Sequence, residues 1–152
     1  MGGEVSSSVI SNFSNKVHDG FLGHSFIGEW VNIGAGTNNS NLKNNYSSVK
    51  FDFGDGNDSI ITKEQFLGVF IGDYTRVGIS TMFTAGTHIG LGSNIFGDGF
   101  QNKYIAPFSW GKNDKVDFDK FVITCEIIKK RRNIKMSKID IDFLKELYNK
   151  NI

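Results

Sequence analysis

The stretch that decides the fold is residues 71–100, which written in sixes is IGDYTR VGISTM FTAGTH IGLGSN IFGDGF. The first place of every six is large and apolar, and its residues are Ile71, Val77, Phe83, Ile89 and Ile95. The fifth place is small, and its residues are Thr75, Thr81, Thr87, Ser93 and Gly99. A period of six separates this pattern from an ordinary twisted sheet, in which side chains alternate with a period of two.

A second block in another phase precedes the first. Counting back from Asn38, the first places are Phe21, Ile27 and Ile33, and the fifth places are Ser25, Val31 and Thr37. Six residues make one short strand and one corner, and three such units close a triangular coil whose interior takes one bulky side chain per side. The pattern predicts an all-β solenoid over residues 1–113, a left-handed parallel β-helix of hexapeptide repeats.

Two segments depart from the repeat. Residues 38–65 are predicted to be a long ordered loop inserted into the coil and contacting a partner or ligand, with a floppy insertion as the alternative. Residues 114–152 contain no glycine and predict a C-terminal helical segment that caps the coil. Its first helix is predicted to begin after Asp117 or Asp119, with Phe118, Val122 and Cys125 on one face. The second is predicted to start near Asp140, with Phe143, Leu144, Leu147 and Tyr148 on one face.

The composition of the chain limits the classes of binding partner and the cellular location that are expected. The formal net charge of +1 gives no bulk attraction to nucleic acid or to an anionic membrane, so neither is an expected partner. Cys125 is the single cysteine, which excludes an intrachain disulfide and fits a reducing compartment. With no apolar run long enough for a membrane span, a cytoplasmic location is the expectation. Because the first residues carry no evident cap, the chain is expected to be a fragment of a longer protein, or to have its first coil covered by another subunit.

The stretches HDGFLGHSFIGEWVNIGAGTNNSNLKNNY (18–46) and FIGDYTRVGISTMFTAGTHIG (70–90) carry a family resemblance. They resemble the acyltransferase half of bifunctional N-acetylglucosamine-1-phosphate uridyltransferase/glucosamine-1-phosphate acetyltransferase. The sequence is more similar still to the C-terminal part of related bacterial sugar nucleotidyltransferases. This resemblance implies a homotrimer that uses acetyl-CoA and acts on a sugar phosphate or nucleotide sugar. It also implies a missing N-terminal nucleotidyltransferase domain, and magnesium only if that domain exists.

The resemblance also implies roles for single residues. His18 matches the general base that takes a proton from the attacking amine, a role open to a neutral imidazole near pH 7. Substrate contacts are expected at Asn32 and Phe21, with positive charge supplied by Lys43 and Lys50 of the loop. The expected cofactor-binding residues are Ala35, Asn41, Ile79 and Gly97. The sequence departs from the family at four positions, where Phe21 and Leu42 replace tyrosines, Ile79 replaces a serine and Ser6 stands in place of a lysine.

Other interpretations stay open. In the first, the coil has lost the chemistry and is a trimerising or regulatory module for a nucleotidyltransferase domain. In a second, His18, His24 and His88 converge on zinc across subunits, although the sixfold phase puts His18 and His24 on different faces. An ice-binding solenoid is a third. Trp30, Trp110 and Cys125 are interpreted as packing residues, and the basic run 129–132 as a solvated helix end or, alternatively, a site for a phosphate of CoA.

Overall fold

The computed structural model describes residues 1–54, 56–57 and 59–150, and these residues are mostly β. Two helices follow the strands, α1 (Phe118–Lys130) and α2 (Lys138–Lys150). The strands are β1 (Glu4–Ser6), β2 (Val9–Ile10), β3 (Phe21–Gly23), β4 (Phe26–Ile27), β5 (Asn32–Ile33), β6 (Asn38–Asn39), β7 (Lys50–Phe51), β8 (Ile60–Ile61), β9 (Phe70–Ile71), β10 (Arg76–Val77), β11 (Met82–Phe83), β12 (His88–Ile89), β13 (Asn94–Ile95), β14 (Tyr104–Ile105), β15 (Ser109–Trp110) and β16 (Asp114–Lys115).

The short strands form sheets that the chain visits in turn, and the strands of these sheets run parallel except for β16, which is antiparallel to β15. Sheet one has the order β14-β12-β9-β4-β2, and sheet two has the order β16-β15-β13-β10-β5. The third side consists of the parallel pairs β1-β3 and β6-β11. From β3 onward the chain passes from the third side to sheet one and then to sheet two, and repeats this order. Many short parallel strands were predicted from the period of six, and this order is compatible with a β-helix.

The interior is filled by one side chain from each pass of a strand. Sheet one stacks Ile10, Ile27, Ile71, Ile89 and Ile105 in register. Sheet two contributes Ile33, Val77 and Ile95, and the third side contributes Leu22 and Phe83; all of these belong to one buried cluster. Because each isoleucine or valine lies directly on its equivalent one turn away, apolar area is buried continuously along the molecule.

The inward residue of β3 is Leu22, so the assignment of Phe21 to an interior place was wrong. Leu22 is buried in the central cluster and pairs with Val5, whereas Phe21 is half-buried and faces outward. Ile27 follows Leu22 by five positions and not six, as Ile10 follows Val5 on the preceding turn, and the shortened corner has His24 in the left-handed region (φ 51°). A single short corner is enough to move the phase by one residue and reverse which side chain points inward.

Small residues occupy the corners as predicted, with one exception. Thr75, Thr81, Thr87 and Ser93 are fully or almost fully buried, whereas Gly99 is exposed. The Thr75 hydroxyl donates to Gly90 O (3.1 Å) and the Thr81 hydroxyl to Gly78 O (2.8 Å). A buried hydroxyl needs such a partner, and here the corner carbonyls supply it.

Regular structure extends two residues into the predicted insertion, since Asn38 and Asn39 form β6 against Met82 and Phe83. Beyond them the inserted loop contains the antiparallel pair β7-β8. The two ends of the loop meet, because Leu67 N donates to Asn41 O (2.9 Å) and Leu42 bridges Phe66.

The helices agree with the predicted boundaries to within two or three residues. The Asp117 side chain accepts a hydrogen bond from Lys120 N (3.0 Å) and is the N-cap of α1, one of the two predicted caps. Helix α2 starts earlier than Asp140, because Ser137 and Asp140 form a reciprocal capping box (2.9 and 3.1 Å). Leu144 is buried, but Phe143 is exposed and does not share its packed face.

The helices cover the side of the coil, not only its end. Phe121 and Cys125 of α1 pack with Phe108 of the last turn, and Leu144 of α2 joins this cluster. Further along α1, Lys129 reaches back to the first turns, with Nζ 6.0 Å from the Trp30 ring and 5.8 Å from the Tyr74 ring. Lys129 is 8% exposed and 3.6 Å from Asp140, so the prediction of a solvated helix end fails for this residue.

A column of aromatic residues lines the corner that α1 covers. Phe13, Trp30, Tyr74 and Phe108 lie at equivalent turns with φ near +60°. Phe13 stacks on Trp30 at 4.1 Å, Trp30 is parallel to Tyr74 at 6.5 Å, and Tyr74 meets the edge of Phe121 at 6.0 Å. The column gives α1 a continuous apolar track to lie on. Neither α1 nor α2, the helices of the described part of the chain, is long and apolar enough to cross a membrane.

Candidate functional site

His18 lies at the corner where the chain leaves sheet two for the third side. The turn is held by Lys16, whose side chain is buried and whose Nζ donates to His18 O (2.8 Å) and Gly2 O (3.1 Å). The imidazole itself is exposed. A backbone fixed from within and a ring free in solvent suit a group that must meet a substrate.

Three successive turns of this corner form an open groove of about 560 Å³, here called the corner groove. Its lining residues are Val17, His18, Asp19, Ala35, Gly36, Ile79 and Ser80. The turns are tied together by Gly36 N to Asp19 O (2.9 Å) and Ser80 N to Ala35 O (2.7 Å). The groove therefore brings His18 together with two predicted cofactor-binding residues, Ala35 and Ile79.

Glycine is required where these turns touch. A Cβ on Gly34 would lie 2.6 Å from the carbonyl carbon of Gly78, which leaves no room for a side chain. Val77 pairs with Ile95, so the same register puts Gly97 level with Ile79 on the next turn. Gly97 is exposed and belongs to the same corner, beyond the residues that line the groove.

Asn41 lies at a different corner, beside His24. Its Nδ2 is 2.8 Å from His24 Nδ1, and the His24 ring stacks on Phe66 of the inserted loop at 5.1 Å. His18 and His24 are separated as predicted. His88 has a third environment, with Nδ1 3.0 Å from Asp52 O and the ring stacked on Phe51. Within residues 1–54, 56–57 and 59–150 no three His, Cys, Asp or Glu side chains gather as metal ligands.

The predicted substrate residues do not all share the corner groove. Phe21 lies on the third side, where its N–H donates to Asn38 Oδ1 (2.8 Å). Lys43 and Lys50 lie in the inserted loop near Lys103, whose amine donates to Lys50 O (3.0 Å). Burial lowers the pKa of Lys103, and the charges of Lys43 and Lys50 lower it further. Lys43 and Lys50 of the loop thus form a cluster with Lys103 of the last turn, apart from His18.

Asn32 faces outward from sheet two in a second groove, here called the arginine groove, of about 270 Å³. Its lining residues are Phe13, Asn15, Trp30, Val31, Asn32, Arg76, Ile128, Arg131 and Arg132. Asn15 Nδ2 donates to Asn32 Oδ1 (2.8 Å), and Arg76 is in register with Asn32 on the neighbouring strand. Sequence reasoning missed Arg76. The signal was available, since both Asn32 and Arg76 immediately precede an inward apolar residue and so share the outward face of one sheet.

A larger cleft of about 570 Å³ continues from the arginine groove between α1 and sheet two. Tyr74, Trp110 and Phe121 give it apolar walls, and Arg76 belongs to both cavities. No sequence pattern predicted this cleft, because it exists only where α1 lies against the sheet.

Comparison with known proteins identifies relatives of one kind, although no family model matches the chain. The chain is similar to the bifunctional sugar-1-phosphate nucleotidylyltransferase/acetyltransferase of Sulfurisphaera tokodaii, with 35% identity over 103 residues, 68% of this chain and 25% of the relative. It is also similar to the bifunctional protein GlmU of Methanocaldococcus jannaschii, with 32% identity over 87 residues, 57% of this chain and 21% of the relative. The chain spans a quarter or less of the length of these relatives. The resemblance inferred from the sequence is confirmed.

Proposed function

We propose that this chain is an acyl-CoA-dependent transferase domain that acetylates an amino-sugar phosphate, with His18 as the general base. The observation that carries the proposal is the corner groove, in which His18 lies with Ala35 and Ile79. The similarity to a nucleotidylyltransferase/acetyltransferase supports the same chemistry. The fold that accompanies this proposal is the left-handed parallel β-helix.

The proposed reaction needs one proton transfer and accurate positioning. Neutral His18 accepts a proton from the amine while the nitrogen attacks the thioester carbonyl. The new C–N bond forms, the C–S bond breaks, and the proton passes to the CoA thiolate as it leaves. Positioning the amine and the thioester side by side supplies much of the acceleration, and the base supplies the rest.

We propose further that the active unit is a homotrimer. A band of exposed apolar residues begins at the walls of the corner groove, with Val17 and Ile79, and continues onto the third side. It consists of Val17, Ile79, Met82, Phe96 and Phe100. Apolar surface of this kind is typical of a subunit interface, and burying it would place the groove between two subunits.

The experiment that tests the function is an acetyl-transfer assay on the full chain with acetyl-CoA and glucosamine 1-phosphate. His18→Ala is expected to lower kcat by about a hundredfold or more, because a positioned base is worth that much. His88→Asn is the matched control, since it removes an imidazole far from the groove, and equal thermal unfolding of all three proteins shows that the fold is kept. Transfer that survives His18→Ala unchanged contradicts the assignment of the base.

A second candidate is a non-catalytic trimerising module for a nucleotidyltransferase domain. The same exposed apolar band favours it, together with the replacement of two family tyrosines by Phe21 and Leu42. In that case the chain assembles but binds no CoA, and calorimetric titration with acetyl-CoA separates the two candidates.

A further inference from the structure

The arginine groove concentrates positive charge without a matching negative charge. Arg76, Arg131 and Arg132 all line it, and none of its lining residues in the described part of the chain is acidic. The two ion pairs of the described residues, Lys129 with Asp140 and Lys150 with Glu146, leave these three arginines out. Arg131 and Arg132 are exposed and Arg76 is half-buried, so all three guanidinium groups are accessible to an anion that enters the groove.

The fold builds this groove from two distant parts of the chain. Arg76 stands on β10, whereas Arg131 is the C-cap of α1 and Arg132 follows it. The last turn of α1 is held over the first turns of the coil by Lys129, which contacts both Asp140 and the aromatic column. The contacts of Lys129 therefore place Arg131 and Arg132 in the same groove as Asn32, although neither arginine takes part in those contacts.

The polar groups of the groove are donors suited to a phosphate group. A guanidinium presents planar pairs of N–H groups that match phosphate oxygens two at a time. The oxygen of the Asn32 amide already accepts from Asn15, so the Asn32 NH2 group is oriented as a further donor. A cavity of about 270 Å³ has room for a phosphate and part of the group it is attached to.

We propose that the arginine groove binds the phosphate group of a phosphate monoester, held by Arg76, Arg131, Arg132 and the Asn32 amide. Inorganic phosphate is expected to bind there weakly and a monoester more tightly. The identity of the monoester rests on the proposed function: it is either the amino-sugar phosphate or the 3′-phosphate of CoA, which share this chemistry.

The test is calorimetric titration of the full chain with inorganic phosphate at low salt, before and after Arg131→Gln with Arg132→Gln. The double variant is expected to bind about tenfold more weakly or worse, because charge-assisted hydrogen bonds to phosphate are lost. Lys138→Gln with Lys145→Gln is the matched control, since it removes the same charge from exposed positions of α2. Arg76→Gln, on the sheet side, is expected to weaken binding without altering α1.

Equal weakening in the control pair would mean general electrostatic attraction and would overturn the proposal, as would an absence of phosphate binding by the unaltered chain. Titrations with glucosamine 1-phosphate, CoA and 3′-dephospho-CoA then identify the source of the phosphate. A chain that binds phosphate through these arginines but transfers no acetyl group supports the site and contradicts the proposed function. If the chain transfers acetyl groups and the double variant keeps the same KM for both substrates, the proposed function is supported and the phosphate site is contradicted.

Discussion

Cys125 illustrates how burial controls the chemistry of one side chain. Cys125 is 1% exposed and lies with Phe121 on the face of α1 that packs against Phe108. Burial raises the pKa of Cys125 to about 12, because a thiolate there would lose its hydration, and the charges of Arg76 and Lys129 offset only part of the rise. Since the thiolate is the nucleophile, the native thiol is expected to be inert.

The native chain is therefore expected to resist iodoacetamide at pH 8.5, whereas the chain unfolded in urea reacts at once. Mass spectrometry of the alkylated fraction measures both.

The same pKa predicts a pH effect on stability. Between pH 9 and about 12 the unfolded chain releases the thiol proton first, so the free energy of unfolding falls as the pH rises. The variant Cys125→Ala is expected to lose this pH-dependent part of the free energy of unfolding. A native thiol that alkylates as fast as the unfolded one would contradict the raised pKa.

For single residues, the sequence predicted most of the side chains that fill the interior, but not every side chain that points inward or is buried. The inward places of Ile71, Val77 and Phe83 follow from the period of six, because each inward residue is paired with the equivalent residue one turn away. Phe21 was misplaced because the period cannot reveal a corner that is one residue short. The burial of Lys129 depends on Asp140, which a helical pattern in either segment alone does not indicate.

At the scale of elements, the aromatic column explains why α1 runs along the coil. Trp30 lies in its middle, 7% exposed, stacked on Phe13 and parallel to Tyr74. Lys129 of α1 lies over both Trp30 and Tyr74, so the same ring that fills the corner also fixes the far end of the helix.

Trp30→Ala is expected to lower the free energy of unfolding by about 3 kcal/mol, because it leaves a cavity between two rings and removes the contact with Lys129. Urea denaturation followed by circular dichroism measures the change. Trp110→Ala is the matched control, since Trp110 is 48% exposed, and it is expected to cost less than about 1 kcal/mol. Equal decreases in the free energy of unfolding in the two variants would show that the aromatic column does not hold α1 against the coil.

The extent of the helices could be predicted, but their position could not. Asp117 and the turn at Ser137 follow from capping preferences that are local in sequence. The choice between capping the end of the coil and lying along its side depends on an aromatic track assembled from Phe13, Trp30 and Tyr74. Trp30 and Tyr74 both hold the fourth place of a hexad, but the short corner moves Phe13 out of that phase in the hexad count. The period also does not indicate which of the three corners a helix covers.

At the scale of the whole molecule, the exposed apolar band determines the expected assembly. Ile79 and Phe100 are 77% and 61% exposed, and Phe100 bridges Met82 on the third side. A contiguous surface of this kind is unfavourable in water and favourable at an interface.

Light scattering of the full chain is expected to give three times the 16.9 kDa mass of one chain. Met82→Glu with Phe100→Glu is expected to yield monomers, because buried unpaired carboxylates would oppose association. Ile127→Glu with Ile139→Glu, on the outer faces of the helices, is the control and keeps the trimer. A monomeric unaltered chain, or equal dissociation of the control, contradicts the expected interface.

The candidate site could be predicted in part. His18, Ala35 and Ile79 came from the resemblance, and the corner groove unites them because successive turns repeat the same corner. Asn41 and Asn32 fall into other surroundings, since a coil distributes residues a few positions apart over different sides. The arginine groove required knowledge of where α1 ends, which only packing provides.

The closed base of the inserted loop has a consequence for how such a protein can change. Because the Asn41–Leu67 hydrogen bond and the Leu42–Phe66 bridge join its ends, the coil continues as if the residues between were absent. The join itself therefore sets little limit on the length of the segment, because its ends are already held together. Val49 and Phe51 are buried, and Phe51 packs on Phe70 and His88, so new ligand preferences are expected to arise at the exposed residues of the segment while these anchors and the stacked isoleucines stay unchanged.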